Sequence, residues 1–208
     1  MARILRAVGW TLIAGGTLVL LYVVYLLAFT NITTERAQED LLATWQAKVG
    51  ALPLPAPGAA PDALARDGDA YAALWFKRPG SAAPIVREGP LFIVDGIEKE
   101  RLKRGPGHYP ATASPGSVGN FAVAGHRTTY GAPFYHLDQL GPGDRVHVVD
   151  RQGREWIYVV RTSRIVDPGD VWVLGHDPLG TGEPTMTMTT CHPRFSAARR
   201  LVVFSVLL

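Results

Sequence analysis

A mainly β domain, a barrel with short helical excursions, carried behind an N-terminal transmembrane helix is the fold class this sequence predicts. Three observations predict it: an unbroken apolar run from Gly9 to Phe29, a series of short β-rich runs separated by Gly and Pro from about residue 69, and little helical periodicity among those runs. With 47% hydrophobic residues and a formal charge of only +3, the chain has the apolar content to build a core and is not of the disordered class. The excess positive charge is spread along the chain, so it leaves no nucleic-acid-binding footprint. A single Cys excludes a disulfide framework within the monomer and a zinc site built from several thiolates.

The apolar run is long enough to cross a hydrocarbon core of about 30 Å as a helix rising about 1.5 Å per residue. No small-residue cleavage site follows it; Tyr25-Leu-Leu-Ala-Phe-Thr-Asn-Ile32 does, so an uncleaved anchor is expected. Arg3 and Arg6 precede the run and Glu35 is the first charge after it, which places the amino terminus in the cytoplasm and the remaining chain outside, a single-pass cell-membrane topology. Residues 1–32 are assigned to this anchor. Residues 33–49 read as a short helix, with Ala37, Leu41, Trp45 and Val49 repeating every four residues and Thr33 or Thr34 at its start. Pro53, Pro55, Pro57 and Pro61 then mark residues 50–62 as an extended, polyproline-like tether that would hold the globular part off the bilayer. Residues 33–68 thus form a juxtamembrane helix and linker, and 69–208 the globular domain. Within it, strands are expected over 71–77, 85–94, 120–124, 145–150, 155–165, 171–174, 185–190 and 201–207, with helical turns near 98–103 and 133–140.

Cys191 ends the run Pro184-Thr-Met-Thr-Met-Thr-Thr-Cys191, just before the turn signal His192-Pro193, so its side chain is expected at a sheet rim. An unpaired thiol there is a reactive nucleophile, an inert structural group or a metal ligand, and the local pattern leaves these open. A nucleophilic thiol needs a proton acceptor or a nearby positive charge. His126 is distinctive among the six histidines because it closes a second apolar strand, Asn120-Phe-Ala-Val-Ala-Gly-His126. His136, His147 and His176 sit in strand, helical or loop contexts that suit packing or solvation, and His192 adjoins Cys191 in sequence. Should Cys191 attack a peptide carbonyl, a fixed guanidinium would stabilise the oxyanion. Arg199 and Arg200 open the last strand, and because neighbours on a strand face opposite ways only one of them should face the site.

These residues resemble a known family. Thr189-Thr190-Cys191-His192-Pro193-Arg194-Phe195-Ser196-Ala197-Ala198-Arg199-Arg200-Leu201 is similar to the Cys-to-Arg signature of sortases. Gly105-Pro-Gly-His-Tyr-Pro110 and Ala124-Gly-His126-Arg-Thr-Thr-Tyr-Gly-Ala-Pro-Phe134 are similar to the family's histidine half, most closely in its class E. One departure is Leu74-Trp-Phe-Lys-Arg-Pro79, where such sortases usually carry a strand with an Ile-Pro step. The resemblance implies an eight-stranded sortase-type β-barrel and a cysteine transpeptidase acting on secreted proteins. Their C-terminal sorting signal would be Leu-Pro-X-Thr-Gly or Leu-Ala-X-Thr-Gly, cut between Thr and Gly through a thioacyl enzyme. The acceptor would be an amine of a cell-wall precursor or a pilin. It implies Cys191 as nucleophile, His126 as general acid and base, and Arg200, nine residues after Cys191, as the arginine. Thr129, Tyr130, Thr190 and Trp172 would shape the substrate groove. No cofactor or metal is expected, because neither forming nor resolving a thioester requires one. The same residues would also permit a cysteine hydrolase, and an anchored, non-catalytic β-barrel binding module is the non-enzymatic alternative.

Overall fold

A computed structural model describes residues 1–50 and 69–208. Helix α1, Ala2–Val24, is exposed along its length and is long and apolar enough to cross a membrane. It does not stop at the end of the apolar run. A wider π-type turn, Tyr25–Phe29, carries it directly into α2, Thr30–Lys48. One face of α2, on which Thr34, Gln38, Leu41 and Trp45 recur at steps of four, three and four, is turned toward the domain. Leu41 and Trp45 pack with Ala70, Ala73, Phe92, Val94 and Val149. The Gln38 side-chain amide donates to the carbonyls of Phe92 and Arg104, and its oxygen accepts the Phe92 N–H at 2.8 Å.

Eight strands close into a barrel: β1 Ala70–Lys77, β2 Leu91–Asp95, β3 Gly107–His108, β4 Asn120–Ala124, β5 Arg145–Asp150, β6 Glu155–Val166, β7 Thr185–His192 and β8 Arg199–Leu207. Their order around the wall is β1-β2-β3-β4-β7-β8-β6-β5, with β5 pairing back onto β1. Period-2 alternation sorts the side chains. Met186 and Met188 of β7, Phe121 and Val123 of β4, and Leu201 and Val203 of β8 join the main core with Tyr158 and Phe134. The intervening positions of β8, Val202 and Phe204, face the other way and pack with Val166 and Val173.

Several expected elements change. The strand expected over 85–94 shrinks to Leu91–Asp95, because Pro90 has no N–H to give to a ladder. Residues 171–174 form a 3-10 turn, Val171–Leu174, in place of a strand. The eighth strand is instead the two-residue Gly107–His108. Helical turns form at α3, Lys99–Leu102, and as a 3-10 turn at Leu137–Gln139. The first strand is regular against β5 from Ala72 to Lys77 despite the departure at residues 74–79. The Pro-rich stretch expected as a tether lies, but for Gly50, outside the described residues. Its flanks are close, since Lys48 pairs with Asp69, so the docked α2, and not the length of that stretch, sets how far the barrel stands from α1.

Candidate active site

Two registers bring the site together. Strands β4 and β7 are parallel neighbours with Ala124 opposite Thr189, so two further steps along each chain bring His126 level with Cys191. The Gly125 N–H continues that ladder to the Thr189 carbonyl at 3.0 Å, and the Thr190 hydroxyl donates to the Gly125 carbonyl at 2.7 Å. Strands β7 and β8 are antiparallel with Cys191 directly opposite Arg200, which puts that pair on one face of the sheet. Arg199, opposite His192, faces away and pairs with Asp167 at 3.4 Å. Arg200 donates to the carbonyls of Ala197 and Arg199 at 2.9 and 3.0 Å, which directs its guanidinium along the turn before β8.

Cys191 and His126 line one cavity of about 450 Å³ together with Thr129, Phe195, Ser196 and Ala197. Cys191 is half-buried and unpaired. Burial pushes the His126 imidazole below the ordinary histidine pKa, so it is largely neutral at neutral pH. Its Nε2 is buried and makes no hydrogen bond among the described residues. Gly125 cannot be replaced freely, because a Cβ there would lie 2.5 Å from the ring of the buried Phe134. A neutral imidazole and a thiol on one cleft can move a proton and form a bond to an acyl carbon; the Arg200 guanidinium, bonded to the Ala197 and Arg199 carbonyls, is not among the groups lining this cavity.

A family model, the sortase domain, matches residues 81–208. The chain belongs to the sortase family. Sortases are cysteine transpeptidases, and two of this chain's relatives are named as class E sortases. It is 31% identical to sortase SrtE2 of Streptomyces coelicolor over 99% of this chain and 83% of that protein. It is also 31% identical to SrtE1 of the same organism over 96% of this chain, but spans only 56% of SrtE1's length. Among solved structures, sortase E from Streptomyces avermitilis superposes with a TM-score of 0.57 at 34% identity, covering 67% of this chain and 88% of that one. The SrtF sortase from Corynebacterium diphtheriae gives 0.61 at 29% identity, covering 74% and 92%.

Of the residues expected to shape this sortase's groove, Thr129 lines the cavity, Tyr130 lays its ring 4.8 Å from the His126 ring, and Thr190 ties β7 to the loop before His126. Trp172 lies elsewhere, stacked on Phe204 at 5.8 Å beneath the Arg164 guanidinium, and is not part of the cavity wall. His147 is held between Trp75 and Glu155, and His136 bonds Gln139. A larger cavity of about 810 Å³, bounded by Trp75, His147 and residues 81–84, contains none of the three expected catalytic side chains.

Two features escape sequence reasoning. Asp138 accepts from both Arg127, the neighbour of His126, at 3.0 Å, and Arg194, three residues past Cys191, at 3.1 Å. It ties the histidine loop to the cysteine loop, and Arg194 also covers the Tyr135 ring at 4.3 Å. The only local sign is an acidic residue in a short turn, which is ordinary. The second is that Val23 and Leu26, at the end of the apolar helix, form part of the cavity wall.

Proposed function

We propose that this chain is a membrane-anchored sortase that cleaves a Leu-Pro-X-Thr-Gly or Leu-Ala-X-Thr-Gly sorting signal between Thr and Gly and transfers the upstream protein to an amine of the cell wall or of a pilin. The observation that carries the reading is the register of β7 against both neighbours, which sets Cys191 beside Arg200 on one side and level with His126 on the other. The neutral His126 accepts the thiol proton as the Cys191 sulfur attacks the Thr carbonyl carbon, and Arg200 stabilises the oxyanion. As the C–N bond breaks, the imidazolium returns its proton to the leaving Gly amine and a thioester remains. An acceptor amine then attacks the thioester, loses its proton to His126 and expels the thiolate. Arg3 and Arg6, in the first turns of α1 and ahead of its apolar run, favour a cytoplasmic amino terminus and an outward-facing domain.

The test incubates the protein with a sorting-signal peptide and an amine acceptor and weighs the products. Ligated peptide supports the reading; hydrolysed peptide alone, in the presence of saturating amine, identifies a hydrolase. Cys191→Ala and His126→Ala should each abolish turnover, and retention of activity by either defeats the assignment.

A further inference from the structure

The loop behind His126 is held in a conformation that L residues resist. Tyr130, Gly131 and Ala132 have φ of 52°, 70° and 41°, three consecutive left-handed residues of which only one is glycine. The groups that hold it there belong to the helix emerging from the membrane. Asn31 Oδ1 accepts the Gly131 N–H at 2.9 Å, and the Thr30 hydroxyl oxygen accepts the Tyr130 N–H at 3.4 Å. Thr30 itself is anchored by donating to the Leu26 carbonyl. Thr34, one turn on, donates to the Lys103 carbonyl at 2.7 Å, and its methyl closes the space at Gly131, where a Cβ would lie 3.0 Å away. The backbone so fixed sets the Tyr130 ring against the imidazole of His126, 4.8 Å between centroids. Val23 and Leu26 complete the contact from the cavity side, sharing a wall with His126 and Cys191.

We propose that the anchor helix is a working part of the active site: Asn31 and Thr30 are positioning residues that hold the Tyr130–Ala132 turn, and through the Tyr130 ring the orientation and burial of His126, while Val23 and Leu26 form the apolar wall of the cleft. This rests on the assignment of Cys191 and His126 as the transpeptidase pair. The helix therefore does more than tether. It imposes the backbone strain that keeps the imidazole in place, and it seats the cleft at the membrane end of the domain.

The experiment uses the full chain in phosphatidylglycerol-containing vesicles, with a Leu-Ala-X-Thr-Gly peptide and a glycine-based amine. Asn31→Leu keeps the size and removes the acceptor; Asn31→Asp keeps an acceptor oxygen; Thr30→Val provides a second break in case Asn31→Leu folds poorly. Asn31→Leu and Thr30→Val should lower kcat about tenfold or more with little change in KM, since a small misplacement of a catalytic group is costly. The acid limb of kcat/KM should also move up toward the ordinary histidine value as the imidazole becomes more hydrated. Asn31→Asp should restore kcat to within about threefold of the wild type on the same ground of retained geometry. Wild-type kcat and an unmoved acid limb in both breaking variants overturn the proposal. So does a loss of kcat that follows Tm alone and is not restored by Asn31→Asp. If Cys191→Ala remains active in the same vesicles, the underlying assignment of the pair fails instead.

Discussion

Arg200 and Arg199 are chemically identical neighbours that one strand register separates. Arg200 lies opposite Cys191, whereas Arg199 lies opposite His192 and engages Asp167 at the surface. Arg200→Ala should therefore lower kcat by about 10²–10³, the usual effect of losing an oxyanion donor, while Arg199→Ala should change it less than about threefold; equal losses in steady-state assays would refute the register argument. His126 carries the pH dependence. Burial disfavours its charged form; in the proposed mechanism the neutral form takes the thiol proton, so activity should persist below the ordinary histidine pKa of about 6.5 and fall only at lower pH. The acid limb of a kcat/KM profile measures this directly. Cys191 and His126 could be picked out in the sequence because each ends a strand-like run, the first of alternating Thr and Met and the second apolar. Tyr130 and Asp138 were harder to pick out: their roles arise from a left-handed backbone and from two arginines 67 residues apart in sequence (194 − 127), and neither leaves a local pattern.

At the scale of elements, the seam between α2 and the barrel is where stability and function meet. Trp45 is buried with its ring 5.8 Å from that of Phe92, and Leu41 packs beside it on the outer side of β1 and β2. Trp45→Ala should cost about 3–5 kcal/mol of unfolding free energy, the range for deleting a large buried aromatic. Denaturant titration of the full chain in detergent would check this, and a loss below about 1 kcal/mol would mean that the helix contributes little to the fold. Sequence patterning identified this helix, and Leu41 and Trp45 on its stripe, through their four-residue spacing. It misjudged residues 171–174, where Val-Trp-Val-Leu has strand composition but sits between Asp170 and Gly175 in a segment too short to pair. It also missed β3, because two residues, Gly107 and His108, carry no periodicity; they pair only because β2 and β4 flank them.

For the whole molecule, barrel closure fixes charge pairs that make the fold sensitive to acid. Arg78, just past β1, grips Asp144, just before β5, with two hydrogen bonds of 2.8 and 2.7 Å, and the Gly141 N–H adds a third. The Arg78 hydrogen bonds hold the Asp144 carboxyl below the usual aspartate range. Its contribution to stability is full above the unfolded-state pKa of about 3.9 and is lost as pH falls through the lowered folded value. Thermal unfolding between about pH 5 and pH 2.5 should show a falling Tm in the wild type and a shallower fall in Asp144→Asn; parallel slopes would show that this pair is not the source.

Local chemistry in the chain was enough to determine an apolar span, a mainly β domain beyond it, a thiol and an imidazole each at a strand end, and the family to which they belong. Apolar periodicity, glycine and proline punctuation, and motif spacing all act over a few residues and can be read there. Tertiary structure alone decided that β4 runs parallel to β7, that Arg200 lies opposite Cys191 and Arg199 opposite His192 in the β7–β8 register, and that the N-terminal helix docks on the barrel and lines the cleft. Those outcomes depend on backbone hydrogen bonds and packing between segments 65 residues apart for Cys191 and His126 (191 − 126), and 100 for Asn31 and Gly131. Such pairings are selected by the burial of the whole barrel, to which no short stretch of sequence answers.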